Sequence, residues 1–167
     1  MKQTPAMDEI QRQMQPGIIT RDGFLGRDRR KLVDILDDDN AEVNRLGLTH
    51  EAIARRMREL RDAGRKGIGL ATRVGQGFEV QVDSVRGKLP CPFGHAGLVQ
   101  KINTTVKNLA SGREITYTDL NIHMIGEHGF YEGRGSAFRL EPSHLKEILA
   151  IPESPPPPSP DMPQGLP

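Results

Sequence analysis

Five side chains in the second half of the chain have the chemistry of metal ligands: Cys91, His95, His123, Glu127 and His128. Cys91 and His95 stand in a Pro/Gly turn, "PCPFGH", with three residues between them; His123 comes after twenty-seven more, and His128 follows at a His-x4-His spacing. A thiolate, imidazoles and a carboxylate form a donor set that suits Zn²⁺. On a regular helix His123 and His128 lie about 140° apart, whereas Glu127 is only about 40° from His123. Glu127 is therefore the better-placed fourth ligand unless the helix loosens near Gly126 or ends at His128. Four protein ligands would close the site and make it structural, while three would leave room for a water that Glu127 can serve as base. Each residue also has an ordinary reading: Cys91 as a small buried hydrophobe, His95 as a turn residue, His128 as a helix C-cap favoured by the dipole. A Cys91–His95 nucleophile pair lacks a third orienting group. The approach to a His-x-x-Glu-His peptidase pattern has one residue too many.

These ligands need a frame. "VQKINTTVKNL" and "REITYTDL" alternate like paired strands across "ASG", and "DLNIHMIGEHG" reads as a short helix from Asp119 ended by Gly129. A turn with two ligands, a hairpin and a helix with more resembles the treble-clef zinc fingers. That family's knuckle commonly carries two cysteines, and here His95 stands in place of the second. The resemblance implies a zinc-stabilised module. Downstream, "GFYEGRGSAFRLEPSHLKEILAI" predicts a glycine-rich loop, a short strand through Phe138 and Leu140, and a helix starting near Pro142 or Ser143. "GRGS" lacks the Gly-Lys-Ser/Thr continuation of a phosphate loop.

The first half carries a different signal. "RDRRKLVDIL" predicts a helix ended by "DDDN", whose Asp39 or Asn40 can cap a short second helix, "AEVNRLG", stopped at Gly47. Thr49 then caps a third helix running to Gly64, a residue suited to a left-handed C-cap. "GLATRV" and "FEVQVDSV" flank "GQG" as a hairpin. On the third helix Ile53, Met57, Leu60 and Gly64 form the inward stripe, and Glu51, Arg55, Arg58 and Asp62 the opposite one. Two i,i+4 pairs, Glu51–Arg55 and Arg58–Asp62, explain part of that outer charge without any ligand. The order helix, helix, turn, helix, strand, strand, with "AEVNRLGLTHEAIARRMRELRDAG" at its centre, resembles the winged helix-turn-helix domain of bacterial transcriptional regulators. Val43 departs from the Ala usual in the second helix. The resemblance implies that the N-terminal half of the third helix enters the major groove of double-stranded DNA. Thr49, His50, Glu51, Ala54 and Arg55 would then lie near bases, and Arg58, Arg65, Lys66 and Arg73 near the backbone.

Composition sets the limits. The chain has 167 residues, no Trp, seven aromatics and a formal net charge of +1. That charge is uneven: Arg21 to Gly112 holds seventeen Lys/Arg against twelve Asp/Glu, and the chain from Arg113 onward four against eight. A single cysteine excludes an internal disulfide. No apolar run of signal-peptide or membrane-span type is present, so a cytoplasmic protein with no membrane partner is expected. The expected architecture is α+β: a flexible tail over 1–20, a winged helix-turn-helix over 21–86, a small α+β module of hairpin plus helices over 87–151, and a Pro-rich tail over 152–167. The expected function is transcriptional regulation, with the second module zinc-stabilised or serving an effector or a homodimer. Two other classes stay open: a metal-dependent hydrolase or nuclease at the Cys/His site, and a protein-interaction module whose winged helix docks protein.

Overall fold

A four-stranded antiparallel meander, in sequential order β1-β2-β3-β4, organises the chain, with helices covering one face. The computed structural model describes residues 2–154, and the Pro-rich stretch from 155 onward lies outside them. The elements are α1 (Pro5–Gln13), α2 (Leu32–Arg45), α3 (His50–Gly64), a 3-10 turn (Arg65–Gly67), β1 (Thr72–Val74), β2 (Phe78–Pro90), β3 (Leu98–Asn108), β4 (Glu114–Thr118), α4 (Asp119–His128) and α5 (Pro142–Ile148). The fold is mixed α+β. No helix of the described residues is long and apolar enough to cross a membrane.

Both expected hairpins form, and they join. β2 pairs with β1 through Val80↔Thr72 and with β3 through Val80↔Val106 and Val82↔Thr104, while Val106 pairs with Ile115 of β4. Because side chains alternate along a strand, Val80, Val82, Ile102, Val106 and Tyr117 all reach the helical side and are buried there. The other face is polar, with Thr105 and Thr116 sharing a hydroxyl hydrogen bond of 2.8 Å. A register shift between Ser84 and Lys88 bends the β2–β3 ladder. Beyond it, Leu89 and Val99 pack on a second core with Met14, Phe24, Leu32, Ile35, Cys91, Met124 and Phe130. β2 thus runs straight through the boundary expected at 86/87.

Helix α4 lies between the two cores. Ile122 and Ile125 join the core over the sheet, and Leu120 and Met124 join the second. A helix apolar on nearly every side is a buried one. Its start is fixed by a capping box in which the Thr118 hydroxyl accepts from Asn121 N–H and the Asn121 side chain accepts from Thr118 N–H. Its end is fixed by Gly129 at φ +64°. α3 crosses close to it: a Cβ at Gly126 would stand 3.0 Å from the Ala54 methyl.

The structure departs from the expectations in the first half for identifiable reasons. The stretch read as a tail contains α1, because Pro5 sits at the first helical position, where its missing N–H costs nothing, and Thr4 caps it. Met14, fully buried, anchors it. The two short helices over 27–47 are one, α2, and "DDDN" lies inside it. Asp39 does not cap; it accepts two hydrogen bonds from Arg139, at 2.6 and 2.8 Å. The start of α2 lacks a cap of its own, and side chains from before it substitute: Leu32 N–H donates to Gln11 and Val33 N–H to Gln3. Gly64 is not a left-handed cap but a right-handed helical residue whose missing Cβ makes room for the Val80 side chain. No strand forms through Phe138 and Leu140; Arg139 between them is drawn instead to Asp39, to Glu141 and to the Glu132 carbonyl.

Asp39 and Arg139 are both nearly buried, at 8% and 10% side-chain exposure, so removing one strands the other. Asp39→Ala is expected to lower unfolding free energy by about 3 kcal/mol in urea titration. Glu141→Ala, which removes a half-exposed partner of the same arginine, is expected to cost under about 1 kcal/mol.

Candidate metal centre and the exposed face of helix α3

The turn between β2 and β3 carries the first two candidate ligands. Gly94 N–H donates to the Cys91 carbonyl at 3.1 Å, closing a tight turn over Pro92 and Phe93, and Gly94 leaves it at φ +86°. Cys91 is buried and unpaired with any other cysteine. Burial raises its thiol pKa, and the nearby backbone N–H groups of Phe93 and His95 pull it partly back. Donors aimed at a sulfur favour the thiolate, the form that ligates metals.

The second pair comes from α4. His128 is the last residue of the helix, and its ring stacks on Phe93 with centroids 4.0 Å apart and planes 6° from parallel. Phe93 in turn meets Phe130 edge-on at 5.6 Å. The Cys91 sulfur lies 3.6 Å from His128 Nε2, and His95 Nδ1 lies 3.2 Å from His123 Nε2. Ligand atoms of Cys91, His123 and His128 all fall within 4.8 Å of one another, a cluster that can hold a metal ion. His95 is exposed and, like Glu127, outside that cluster, but it stands beside it, with its ring 4.4 Å from that of His128. Glu127, favoured by helical spacing, is exposed and outside the cluster. Phe93 is the positioning residue that spacing did not reveal; the one signal for it is an aromatic placed within a Pro/Gly turn.

Burial lowers the pKa of His128 to about 4, with the neighbouring His95 and His123 rings adding to the effect. Burial, then His95, lowers that of His123 as well. Both rings therefore stay neutral near pH 7 and keep a lone pair available.

On α3 the expected inward stripe is buried and the outer one exposed, but the roles divide differently. Thr49 caps the helix, its hydroxyl accepting from Ala52 N–H at 3.1 Å. His50 faces inward: Nδ1 is 2.8 Å from the Tyr131 hydroxyl and Nε2 is 3.0 Å from Asn40 Oδ1. Because the Asn40 oxygen only accepts, Nε2 carries the proton and Nδ1 accepts from Tyr131. Ala54 is buried against α4 and cannot reach a base. Glu51, Arg55 and Arg58 point outward, as do Arg65, Lys66 and Arg73. Neither expected i,i+4 ion pair forms among the described residues; Asp62 is taken by Arg61 at 2.8 Å, which also binds Asp119 at 2.9 Å. The α2–α3 turn is covered by the end of the described chain: Lys146 donates to Leu46 O and Ser154 N–H to Gly47 O, both at 2.8 Å.

No protein-family model, no curated protein and no solved structure matches the chain.

His50, like His123 and His128, has its pKa lowered by burial. The unfolded chain takes up protons near pH 6.5 that the folded one refuses, so stability is full above that pH and is lost as pH falls toward about 4. Metal-free protein is expected to show a urea midpoint that drops between pH 7 and 5, with a shallower drop in His128→Gln.

Proposed function

We propose that the chain is a zinc protein in which Cys91, His95, His123 and His128 form a closed structural site fastening the β2–β3 connection to the C-terminal end of α4. The observation that carries this is a pair of distances. A regular tetrahedron with Zn–N of about 2.0–2.1 Å and Zn–S of about 2.3 Å has N···N edges of about 3.3 Å and an S···N edge of about 3.6 Å. The 3.2 Å His95–His123 and 3.6 Å Cys91–His128 separations agree with those edges. With His95 added to the Cys91, His123 and His128 cluster as the fourth donor, no position is left for a substrate or an activated water, so the proposal favours the structural role over the hydrolase. Metal affinity of this kind is folding free energy, because the two ligand pairs meet only once β3, β4 and α4 have formed.

Purified protein is expected to carry one zinc per chain, measured by elemental analysis. Cys91→Ser, His95→Ala, His123→Ala and His128→Ala should each lose most of it, and Glu127→Ala should retain it. Cobalt(II) should give a tetrahedral spectrum whose thiolate charge-transfer band vanishes in Cys91→Ser. Zinc lost in Glu127→Ala but kept in His95→Ala would overturn the ligand set, and a metal-free wild type would overturn the site.

A second reading rests on the exposed arginines of α3. Arg55 and Arg58 have no ion-pair partner among the described residues, and Arg65, Lys66 and Arg73 are exposed further along the chain. Cations without partners favour a polyanion such as double-stranded DNA. With His50 and Ala54 turned inward and the α2–α3 turn covered, the contact they support is to phosphates more than to bases. Replacing both Arg55 and Arg58 by Ala should reduce the slope of log affinity against log salt by about 2. An unchanged slope, or a wild type that binds no DNA at low salt, removes this reading.

A further inference from the structure

A cavity of about 550 Å³ lies at the other end of α4 from the metal centre. It is enclosed by the 20–26 segment, the bent ends of β2 and β3, the start of α4 and the 132–138 loop. Phe24, Leu89, Val99, Leu120, Met124 and Phe138 supply its apolar lining, and Arg21, Asp22 and Lys101 also border it. Its size falls within the range of small-molecule sites. The loop that closes it is held tightly: Gly133 N–H donates to Phe24 O, and a Cβ on Gly133 would collide with the Leu25 backbone.

One lining residue does not match an apolar hole. Glu132 is 4% exposed and its backbone sits at φ +67°, a region non-glycine residues rarely occupy. Its two carboxylate oxygens are held apart and aimed: Asn121 Nδ2 donates to Oε2 at 2.7 Å and the Ser136 hydroxyl to Oε1 at 2.9 Å. No lysine or arginine of the described residues forms an ion pair with it. The nearby Arg139 spends its donors on Asp39, Glu141 and the backbone carbonyl of Glu132. Burial accordingly pushes the Glu132 pKa up to about 7, against the lowering effect of those hydrogen bonds. A buried carboxyl held by neutral donors, with Arg139 near it but not ion-paired to it, can pair with a cation brought into the cavity.

We infer that this cavity binds a small apolar molecule bearing a protonated amine, its ammonium paired with Glu132 and its apolar body against Leu120, Met124 and Val99. An alcohol of the same shape would fill the apolar space without supplying the charge, and an acid would bring a like charge against Glu132.

The test is a titration of the full chain with 2-phenylethylamine, 2-phenylethanol and 3-phenylpropionate, followed by calorimetry and by methyl NMR shifts at Met124 and Leu120. The amine is expected to bind at least tenfold more tightly than the alcohol, and the acid more weakly than either. Glu132→Gln keeps the shape and both hydrogen-bond partners; it should abolish the amine's advantage while leaving alcohol binding in place. Equal affinity of amine and alcohol for the wild type, preference for the acid, an advantage that survives Glu132→Gln, or no binding of any probe would each overturn the inference. The wild-type comparison alone decides the matter if the variant does not fold. Metal content is unaffected by any of these outcomes, so the zinc site stands or falls separately.

Discussion

Arg139 ties helix α2 to the segment that leads into α5 through a buried charge. Its guanidinium makes two hydrogen bonds to Asp39 of α2, others to Glu141 at the start of α5, and one to the carbonyl of Glu132. Burial alone would lower its pKa, but the hydrogen bonds to Asp39 and Glu141 hold it above the ordinary value. A charge this buried is tolerated only where its donors are used in full, so the segment from Glu132 to Glu141 has little freedom to take another path. Other placements follow from that fixed segment. Tyr131 is set where its hydroxyl meets His50, and Glu132 where its carboxyl meets the cap of α4.

Helix α4 then serves as the axis of the second half. Its N-terminal turn, closed by Thr118 and Asn121, borders the cavity, and its C-terminal half brings His123 and His128 to the cluster with Cys91 that could hold a metal ion. Ten residues separate two chemically distinct sites while contributing to both cores. The close crossing with α3 is possible because Gly126 and Ala54 meet with almost no side chain between them. Anything that rotates α4 would therefore disturb both ends together.

Local patterns were legible wherever neighbouring residues decide the structure. Both hairpins, the extent of α4, the Thr49 cap and the inward stripe of α3 follow from alternation, turn residues and helical periodicity, which need no partner from elsewhere. The failures share a cause: distant contacts overrode local preference. "DDDN" looks like a helix terminus until Arg139, a hundred residues on, takes Asp39 into the interior. Gly64 looks like a cap until Val80 occupies the space beside it. The members of the Cys91, His123 and His128 cluster were recognisable by type and spacing, but which of Glu127 and His128 joins it was not decided by spacing. Glu132 carried no local signal, since nothing beside it in the chain distinguishes a buried glutamate from the exposed ones.

The passage of β2 through the middle of the chain bears on how such a protein can change over generations. Its first residues complete one core and its last residues the other, across a bulge within a single strand. A recombination joint anywhere between Phe78 and Pro90 would split that strand and leave each product with an incomplete sheet. A joint placed there would part residues that complete each other's cores, so the two halves cannot be exchanged independently at that strand even though their chemistry is separate.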